Sequence, residues 1–343
     1  MWFKNDYGFG ACPEVLQALS RENGTAQDGY GMDPWCGKAA SLIASRCGRE
    51  VWVHFLEGGT QANATVIDSL LRPWQSAIAA QTGHINAHET GAVEHTGHKI
   101  EMVASRDFKI SAEAVRKKAA GWRENPIREH FTEPKLVYIS QPTEMGTLYS
   151  KDELLSLRRV CDEMGLYLFI DGARLAYALG APANTATLAD IARCADVFYL
   201  GGTKCGALFG EAVVFTRRDL QENFRSSMKQ NGAMAAKGWV LGLQFATLLE
   251  SGRYEALGRR AVEMALQIRE AFAMAGIPAA SESPTNQQFF FLTEPQCRAF
   301  SEAGFVFEDE GAAEGGRRLV RFCTSWATRP DEVAALASFA AGL

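Results

Sequence analysis

Short apolar runs alternate with longer amphipathic stretches along the first two thirds of the chain. Each run is bounded by Gly, Pro or Asp, which is typical of buried strands. The stretches between the runs carry helix-start signals, such as Ser150 followed three residues later by Glu153, which predicts a capping box. Alternating strands and helices predict an α/β fold with a mainly parallel central sheet flanked by helices. The predicted strands are Val51–Leu56, Ile78–Ala80, Lys99–Val103, Lys135–Ser140, Leu166–Ile170, Val197–Leu200 and Ala212–Phe215.

The pattern changes near residue 251, where a long helical stretch begins and runs to Ala275. Two further strands and two helices follow, which is typical of an α+β unit rather than of a continued parallel sheet. We therefore predict a large domain over residues 1–250, including an N-terminal arm, and a small C-terminal α+β domain over residues 251–343. The further elements predicted for the small domain are strands at Gln288–Leu292 and Leu319–Phe322 and helices from Pro295 and Pro330. The helices predicted for the large domain are Thr60–Leu71, Ser111–Trp122 and Lys151–Met164.

Composition argues against several classes of protein. With 35 Lys and Arg against 40 Asp and Glu, the chain lacks the basic surplus that is typical of nucleic-acid binding. No segment approaches roughly 18 consecutive apolar residues, and no basic and apolar leader follows Met1. The eight cysteines form no CxxC pair, which predicts reduced core thiols. We therefore expect a soluble, cytoplasmic protein with no nucleic-acid or membrane partner.

An apolar strand ends in a glycine-rich turn that carries Lys204. Ligands of open α/β sheets bind at the carboxyl ends of the strands. Removal from water lowers the pKa of a lysine and leaves an amine that can attack a carbonyl, which favours Schiff-base chemistry. An isolated lysine in such a loop is more often a solvated turn residue, so the interpretation depends on its neighbours.

Asp171 ends the preceding predicted strand, and one strand–helix–strand unit separates it from Lys204. That unit would bring both residues to the same edge of the sheet. A carboxylate beside a pyridine nitrogen keeps the nitrogen protonated, so that the ring can accept electrons from a carbanion. Taken alone, an aspartate at a strand end more often caps the following turn.

A third segment joins the strand ending at Leu56 to a helix that begins near Thr60, through Gly58 and Gly59. Free backbone N–H groups at a helix start suit a phosphate, and Gly59 would let the phosphate approach closely. The segment has neither the Walker lysine nor a GxGxxG pattern, so it gives nucleotide binding little support. A simple helix cap is the alternative interpretation.

In this order, the three segments resemble the low-specificity L-threonine aldolases of the β-eliminating lyase superfamily. That superfamily belongs to the fold-type I, aspartate-aminotransferase-like enzymes that depend on pyridoxal phosphate (PLP). The similarity covers nearly the whole chain. Further stretches that carry it are Phe3-Lys-Asn-Asp-Tyr, Tyr30-Gly-Met-Asp-Pro, His88-Glu-Thr-Gly-Ala, Ser140-Gln-Pro-Thr-Glu-Met-Gly and Val320-Arg-Phe-Cys-Thr-Ser-Trp.

The resemblance implies a function as well as a fold. It implies retro-aldol cleavage of L-β-hydroxy-α-amino acids, such as L-threonine, L-allo-threonine or phenylserine, into glycine and an aldehyde, with PLP as cofactor. Family members are homodimers or homotetramers with active sites at subunit interfaces, so the same is expected here. Because relatives of this fold include eliminases and racemases, β-elimination or racemisation of another amino acid stays open.

The resemblance also implies the roles of individual residues. Lys204 forms the Schiff base with the cofactor, and Asp171 is the partner of the ring nitrogen. His88 stacks on the ring near the substrate hydroxyl, and His130 resembles a second active-site histidine. Either histidine, or a bound water, is the candidate base that removes the proton of that hydroxyl. The further contacts implied for the cofactor are Gly59, Thr60, Thr203 and Arg174. Those implied for the substrate carboxylate are Asn5, a serine in many members, Arg174 and Arg321. Lys237 is implied for phosphate or a subunit interface.

A metal enzyme is the first rival interpretation, because four of the six histidines lie between residues 84 and 98 at spacings that can bind zinc on a helix. Gly83, Gly91 and Gly97 interrupt any regular helix there, and no HExxH motif occurs, so we predict no metal. A non-catalytic PLP-binding regulator is the other rival, but no DNA-binding segment is apparent. Structural roles are predicted for His54, His84, His95 and His98.

Overall fold

The computed structural model describes all 343 residues, and its twelve strands form three sheets. A seven-stranded sheet lies at the centre, a three-stranded sheet contains the C-terminal strands, and two short strands form a hairpin. None of the helices combines the length and the apolar character that crossing a bilayer requires. The strands are β1 (Trp52–Leu56), β2 (Gln75–Ala80), β3 (Lys99–Val103), β4 (Ser105–Arg106), β5 (Lys109–Ile110), β6 (Glu133–Ser140), β7 (Tyr167–Asp171), β8 (Val197–Gly201), β9 (Glu211–Phe215), β10 (Gln287–Thr293), β11 (Glu308–Ala313) and β12 (Arg317–Cys323).

Fifteen α-helices and two 3-10 turns, Arg128–His130 and Glu314–Gly316, connect the strands. The predicted capping box is present, because Ser150 and Glu153 each accept a backbone N–H of the other. The helices are α1 (Pro13–Glu22), α2 (Pro34–Cys47), α3 (Gly59–Leu70), α4 (His84–Ala87), α5 (Ala92–His95), α6 (Ala112–Arg123), α7 (Lys151–Met164), α8 (Leu175–Gly180), α9 (Leu188–Cys194), α10 (Arg218–Gln221), α11 (Phe224–Gln230), α12 (Trp239–Glu250), α13 (Arg253–Met274), α14 (Glu294–Glu302) and α15 (Pro330–Ala340).

The central sheet has the strand order β1-β9-β8-β7-β6-β2-β3. Strand β9 runs antiparallel to both neighbours, and the other pairs are parallel, which confirms the predicted fold class. Strand β2 begins at Gln75 rather than at the predicted Ile78. Gln75 and Ser76 are buried polar residues whose side chains donate to Glu133 and Glu101. Buried polar groups with partners are tolerated in a strand, but an apolar pattern cannot reveal them.

Both faces of the central sheet are buried. Val214 of β9 packs in a core of 50 buried residues on one face, whereas Val213 and Phe215 pack in a core of 20 on the other. Helices α2, α7 and α12 contribute to the first core, and α3 and α11 contribute to the second. The carboxyl ends of the parallel strands therefore open between two helical layers, where ligands of such sheets bind.

The C-terminal sheet has the order β10-β12-β11 and is antiparallel throughout. A third core, rich in phenylalanine, joins this sheet to α13, α14 and α15. Phe3 lies in that core, and its backbone N–H donates to the Val306 carbonyl at 2.7 Å. The sequence pattern does not predict β11, because its residues are acidic or small and show no apolar alternation.

Helix α13 connects the two regions. Leu257 and Ala261 near its start belong to the largest core, whereas Ile268 and Phe272 near its end belong to the C-terminal core. The division into domains at residue 250 stays a prediction, and one long helix contributes to the packing on both sides of it.

Candidate active site

The carboxyl ends of three neighbouring strands meet at one point of the central sheet. Ser140 ends β6 beside Asp171, the last residue of β7, and β8 ends at Gly201, shortly before Lys204. Gly201 permits close packing here, since a Cβ atom on it would lie 2.1 Å from the Ala173 carbonyl oxygen. Asp171 and Lys204 therefore lie at one sheet edge and line one cavity.

Two adjoining cavities, which share lining residues, open at this edge. The inner cavity lies against the strand ends, and the outer cavity, of about 650 Å³, extends to the C-terminal sheet. His84, Glu144, Arg174 and Lys204 line both. The inner cavity is also lined by Gly59, Ser140, Pro142, Asp171, Ala173 and Tyr199, and the outer cavity by Tyr7, Gln81, Thr82, Ala87, His88, Met145, Gln287, Phe289, Glu308, Glu310 and Arg321.

Lys204 lies in a partly buried turn whose surroundings favour the neutral amine. The Tyr177 hydroxyl donates to the Lys204 carbonyl at 2.5 Å and fixes the backbone of the turn. Burial lowers the pKa of Lys204, and the Arg174 guanidinium lowers it further. The carboxylates of Asp6 and Asp171 act in the opposite direction without outweighing these effects. A lysine with a lowered pKa is a competent nucleophile near neutral pH.

Asp171 is buried and held by three donors. Its Oδ2 accepts the Tyr138 hydroxyl at 2.5 Å and the Asn63 amide at 3.1 Å, and its Oδ1 accepts the Ala173 backbone N–H at 2.9 Å. Burial alone would raise the pKa of Asp171, but His84 and these hydrogen bonds outweigh it and lower the pKa. Asp171 is therefore ionised at neutral pH, as the partner of a protonated ring nitrogen must be.

His84 lines the inner cavity and is linked to Asp171 through two buried side chains. Its Nδ1 lies 2.7 Å from Oε1 of Glu89. The Asn63 amide donates to that same oxygen at 2.7 Å and also reaches Asp171. The sequence predicts a structural role for His84 and a cofactor contact for His88. The structure places His84 in the inner cavity and His88 in the outer cavity only, with 5.5 Å between the ring centroids.

His130 is not brought to either cavity within one chain. It is exposed in the 3-10 turn just before β6, whereas the cavities lie at the other end of that strand. At about 3.3 Å per residue, the two ends of this strand lie roughly 20 Å apart. No group of three or more His, Cys, Asp or Glu side chains lies close enough to hold a metal ion.

The start of α3 forms a cradle beside the inner cavity. Gly58 caps the helix, and Gly59 lines the cavity. A Cβ atom on Gly59 would lie 3.2 Å from the buried Tyr199 hydroxyl, which also lies beside Asp171. A glycine at a helix start, where backbone N–H groups are free, suits an anionic group such as the cofactor phosphate. Thr60 is exposed at the same helix start.

Three other predicted residues do not line either cavity. The Thr203 hydroxyl donates to Glu211 at 2.8 Å and accepts the Gly210 N–H at 3.0 Å, so the chain already engages it. Asn5 is buried, and its Oδ1 has no partner. Lys237 is exposed in the segment before α12. Within one chain, these side chains therefore make no contact with the cavities.

Arg174 lines both cavities and is held by Asp6. Its Nε lies 2.7 Å from Oδ2 of Asp6, and its Nη2 lies 3.1 Å from Oδ1. The Asn286 amide also donates to Asp6, at 2.9 Å. Burial would raise the pKa of Asp6, but Arg174 and Lys204 outweigh it and lower that pKa. Nη1 of Arg174 makes no hydrogen bond within the chain, so it is free to contact a ligand.

Arg321 of β12 reaches the outer cavity from the opposite wall. Its Nη1 lies 3.2 Å from Glu310 and donates to Gln287 at 3.4 Å, and its Nη2 donates to the Lys4 carbonyl at 3.4 Å. The two arginines predicted to bind the substrate carboxylate therefore both line the outer cavity. Sequence reasoning did not find Glu310, because it lies on the unpredicted strand β11.

Comparison with known proteins identifies the family of the chain. The family model for beta-eliminating lyases matches residues 9–295. A low specificity L-threonine aldolase of Pseudomonas sp. is 32% identical, with 98% of this chain and 96% of that protein covered. A threonine aldolase structure from Leishmania major has a TM-score of 0.95 at 42% identity, covering 99% of this chain and 98% of that one.

More distant structures share the fold. An aspartate aminotransferase of Thermus thermophilus has a TM-score of 0.71 at 18% identity, with 99% of this chain and 91% of that chain covered. The likeness extends from end to end of the chain. The chain belongs to the threonine aldolases of the beta-eliminating lyase family, a group of PLP-dependent lyases.

Proposed function

We propose that this protein cleaves L-β-hydroxy-α-amino acids of the threonine type into glycine and an aldehyde, using PLP held by Lys204. The observation that carries the proposal is the placement of Lys204 and of the ionised Asp171 on one cavity. The end-to-end similarity to a low specificity L-threonine aldolase supports the reaction class. L-threonine, L-allo-threonine and phenylserine are the substrates to compare.

The residues of the inner cavity fit the cofactor. Lys204 supplies the amine, Asp171 the negative charge at the ring nitrogen, Gly59 the phosphate cradle, and His84 an aromatic ring beside them. When bound, PLP supplies an electron sink for the carbanion that cleavage leaves on the glycine unit. Asp171 can sustain that role because buried donors keep it ionised.

Arg174 and Arg321 are placed to hold the substrate carboxylate. Arg174 offers Nη1 while Asp6 fixes the rest of its guanidinium, and Arg321 approaches from β12. A charged hydrogen bond of this kind is worth about 1.5–3 kcal/mol. Fixing the carboxylate orients the bond to be broken, because rotation about the Cα of the substrate is then restricted.

We assign His84, rather than His88 or His130, as the group that takes the proton of the substrate hydroxyl. We assign the imidazole proton to Nδ1, which lies 2.7 Å from Oε1 of Glu89, and this tautomer leaves Nε2 as the proton acceptor. His88 lies farther out, where burial and the neighbouring His84 lower its pKa, and we assign it to contact with the β-substituent.

We further propose that the protein acts in the cytoplasm as a homodimer or homotetramer with active sites at subunit interfaces. Seven of the eight cysteines are buried, and all are free thiols, which is typical of a reducing compartment. Exposed apolar side chains lie on segments beside the site, before α1 and after Lys204, and support an interface there: Tyr7, Phe9, Leu208 and Phe209.

Product analysis tests the proposed reaction. Purified protein with added PLP is incubated with each of the three substrates, and glycine and aldehyde are quantified for wild type and Lys204→Ala. Equimolar glycine and aldehyde, absent in the variant, are expected. A 2-keto acid with ammonia instead would establish β-elimination, the reaction that names the family, and would refute the aldolase assignment.

A further inference from the structure

A carboxylate of the chain itself contacts the guanidinium that we assign to the substrate carboxylate. Nη1 of Arg321 lies 3.2 Å from Oε1 of Glu310. Both side chains are partly shielded from water, with exposed fractions of 16% and 26%. Nε of Arg321 is buried and has no hydrogen-bond partner, so it is not open to a ligand. Nη1 and Nη2 donate to Gln287 and to the Lys4 carbonyl only at 3.4 Å each, so the chain satisfies this guanidinium in part and a second carboxylate could use these donors.

A β-bulge aims Glu310 at this position. The partners of Asp309 and Gly311 on β12 are consecutive residues, so Glu310 is the extra residue of the bulge. Gly311 has a φ of +119°, which favours glycine and bends the strand. Asp309 accepts the Gly311 N–H at 3.0 Å and pairs with Arg318 at 2.6 Å. These contacts hold the bulge, and bulges beside active sites commonly redirect a side chain.

We propose that Glu310 is a specificity-determining residue that competes with the α-carboxylate of the substrate for Arg321. The inference rests on the proposed function, because it takes Arg321 as a binding group for that carboxylate. A substrate must displace the Glu310 carboxylate before it engages Arg321, so Glu310 raises the KM of every amino acid substrate. Once displaced, Glu310 stays in the wall of the outer cavity and repels a second carboxylate. The site therefore favours a neutral β-substituent over an acidic one.

Glu308 provides a matched control on the same strand. It lies directly opposite Arg321 in the sheet, but its Oε2 is 4.0 Å from Nη2 and 3.8 Å from the Lys4 ammonium. Its charge is therefore shared with a second cation, and its contact with Arg321 is longer than that of Glu310. Glu308→Gln removes one negative charge from the same wall without releasing Nη1.

Steady-state kinetics of the holoenzyme test the proposal. KM and kcat for L-threonine, and the kcat/KM ratio of L-β-hydroxyaspartate to L-threonine, are measured for wild type, Glu310→Gln and Glu308→Gln. Glu310→Gln is expected to lower the KM for L-threonine about two- to fivefold with little change in kcat, as for loss of a partly exposed ion pair. The ratio should rise in this variant, and Glu308→Gln should change KM less.

A KM that is unchanged or raised in Glu310→Gln, in an active enzyme, overturns the proposal, and so does an equal fall in both variants. If Glu310→Gln does not fold, Glu310→Asp, which withdraws the carboxylate but keeps its charge, must lower KM. If the wild type cleaves no substrate, the proposed function fails separately. The Kd of glycine, followed through the absorbance of bound PLP, then decides: it must be lower in Glu310→Gln, and an equal Kd refutes the competition.

Discussion

Two arginine–aspartate pairs near the site differ chiefly in their exposure to water. In the inner region Arg174 binds Asp6, whose side chain is fully buried. On the β11–β12 hairpin, which forms a wall of the outer cavity, Arg318 binds Asp309, whose side chain is 45% exposed. Water can replace a lost partner in the exposed pair but cannot in the buried pair. The comparison indicates that the inner region is preorganised and intolerant of change. The residues of the β11–β12 hairpin can be substituted at little cost to stability, which suits a cavity wall that sets specificity.

The largest effect is expected from the proton acceptor in the inner cavity. His84→Phe keeps an aromatic ring but removes the basic nitrogen, so kcat should fall by about 10²- to 10⁴-fold, the range for loss of a general base. His130→Phe should leave kcat near the wild-type value, because the exposed turn lies at the other end of β6. Parallel kinetics with L-threonine check both. A large loss only in His130→Phe would reverse the assignment and indicate that a neighbouring subunit supplies the histidine.

The two aspartates should differ in their contribution to stability. Asp6→Asn leaves the buried Arg174 charge without its counter-ion and should lower the free energy of unfolding by about 3–5 kcal/mol. Asp309→Asn should lower it by about 1 kcal/mol or less. Denaturant titrations of both variants measure the difference. Equal losses would show that the two regions are not distinguished by burial.

A smaller effect is expected on the pH dependence of stability, through the buried His54. His54 of β1 packs against Phe215 and Phe224, and burial lowers its pKa to about 4 from the usual 6.5 of a histidine. The folded state binds the His54 proton more weakly than the unfolded state does. The contribution of neutral His54 to the free energy of unfolding is therefore fully present above pH 6.5. It is lost as the pH drops towards 4, and the loss is about 3 kcal/mol at most.

His54→Phe keeps the packing surface and removes the titrating group. The decrease in the free energy of unfolding between pH 7 and pH 4.5 should therefore be smaller in this variant than in the wild type. Denaturant titrations across that pH range measure the decrease. The same decrease in both proteins would mean that other groups cause it.

The sequence predicts the placement of Asp171, Lys204 and Gly59 in the inner region because the elements that carry them follow regular rules. Asp171 and Lys204 follow buried strands whose apolar runs are unbroken, and parallel strands present their carboxyl ends at one edge. The sequence also predicts that a helix begins near Thr60, directly after Gly59, because the segment follows the buried strand that ends at Leu56. The roles assigned to these residues stay predictions, but their placement on one cavity follows from the strand order.

The remainder depends on contacts that no regular pattern along the chain reveals. His84 and Glu89 are five residues apart and meet just beyond the end of the four-residue helix α4, which regular helical spacing cannot reveal. Asp6 reaches Arg174 only after the N-terminal segment has packed on the C-terminal sheet. Glu310 is aimed by a bulge in a strand that has no apolar pattern. The role of His130 stays a prediction, because within one chain it lies in the turn before β6 and lines neither cavity.

The most direct test of the central claim is to locate the cofactor on the chain. Holoenzyme is treated with borohydride, which converts a Schiff base into a stable amine, and the labelled peptide is identified by mass spectrometry. The account predicts one labelled site, at Lys204, and no label in Lys204→Ala. A label on another lysine, or none although PLP binds, would contradict the assignment of Lys204 and the mechanism built on it.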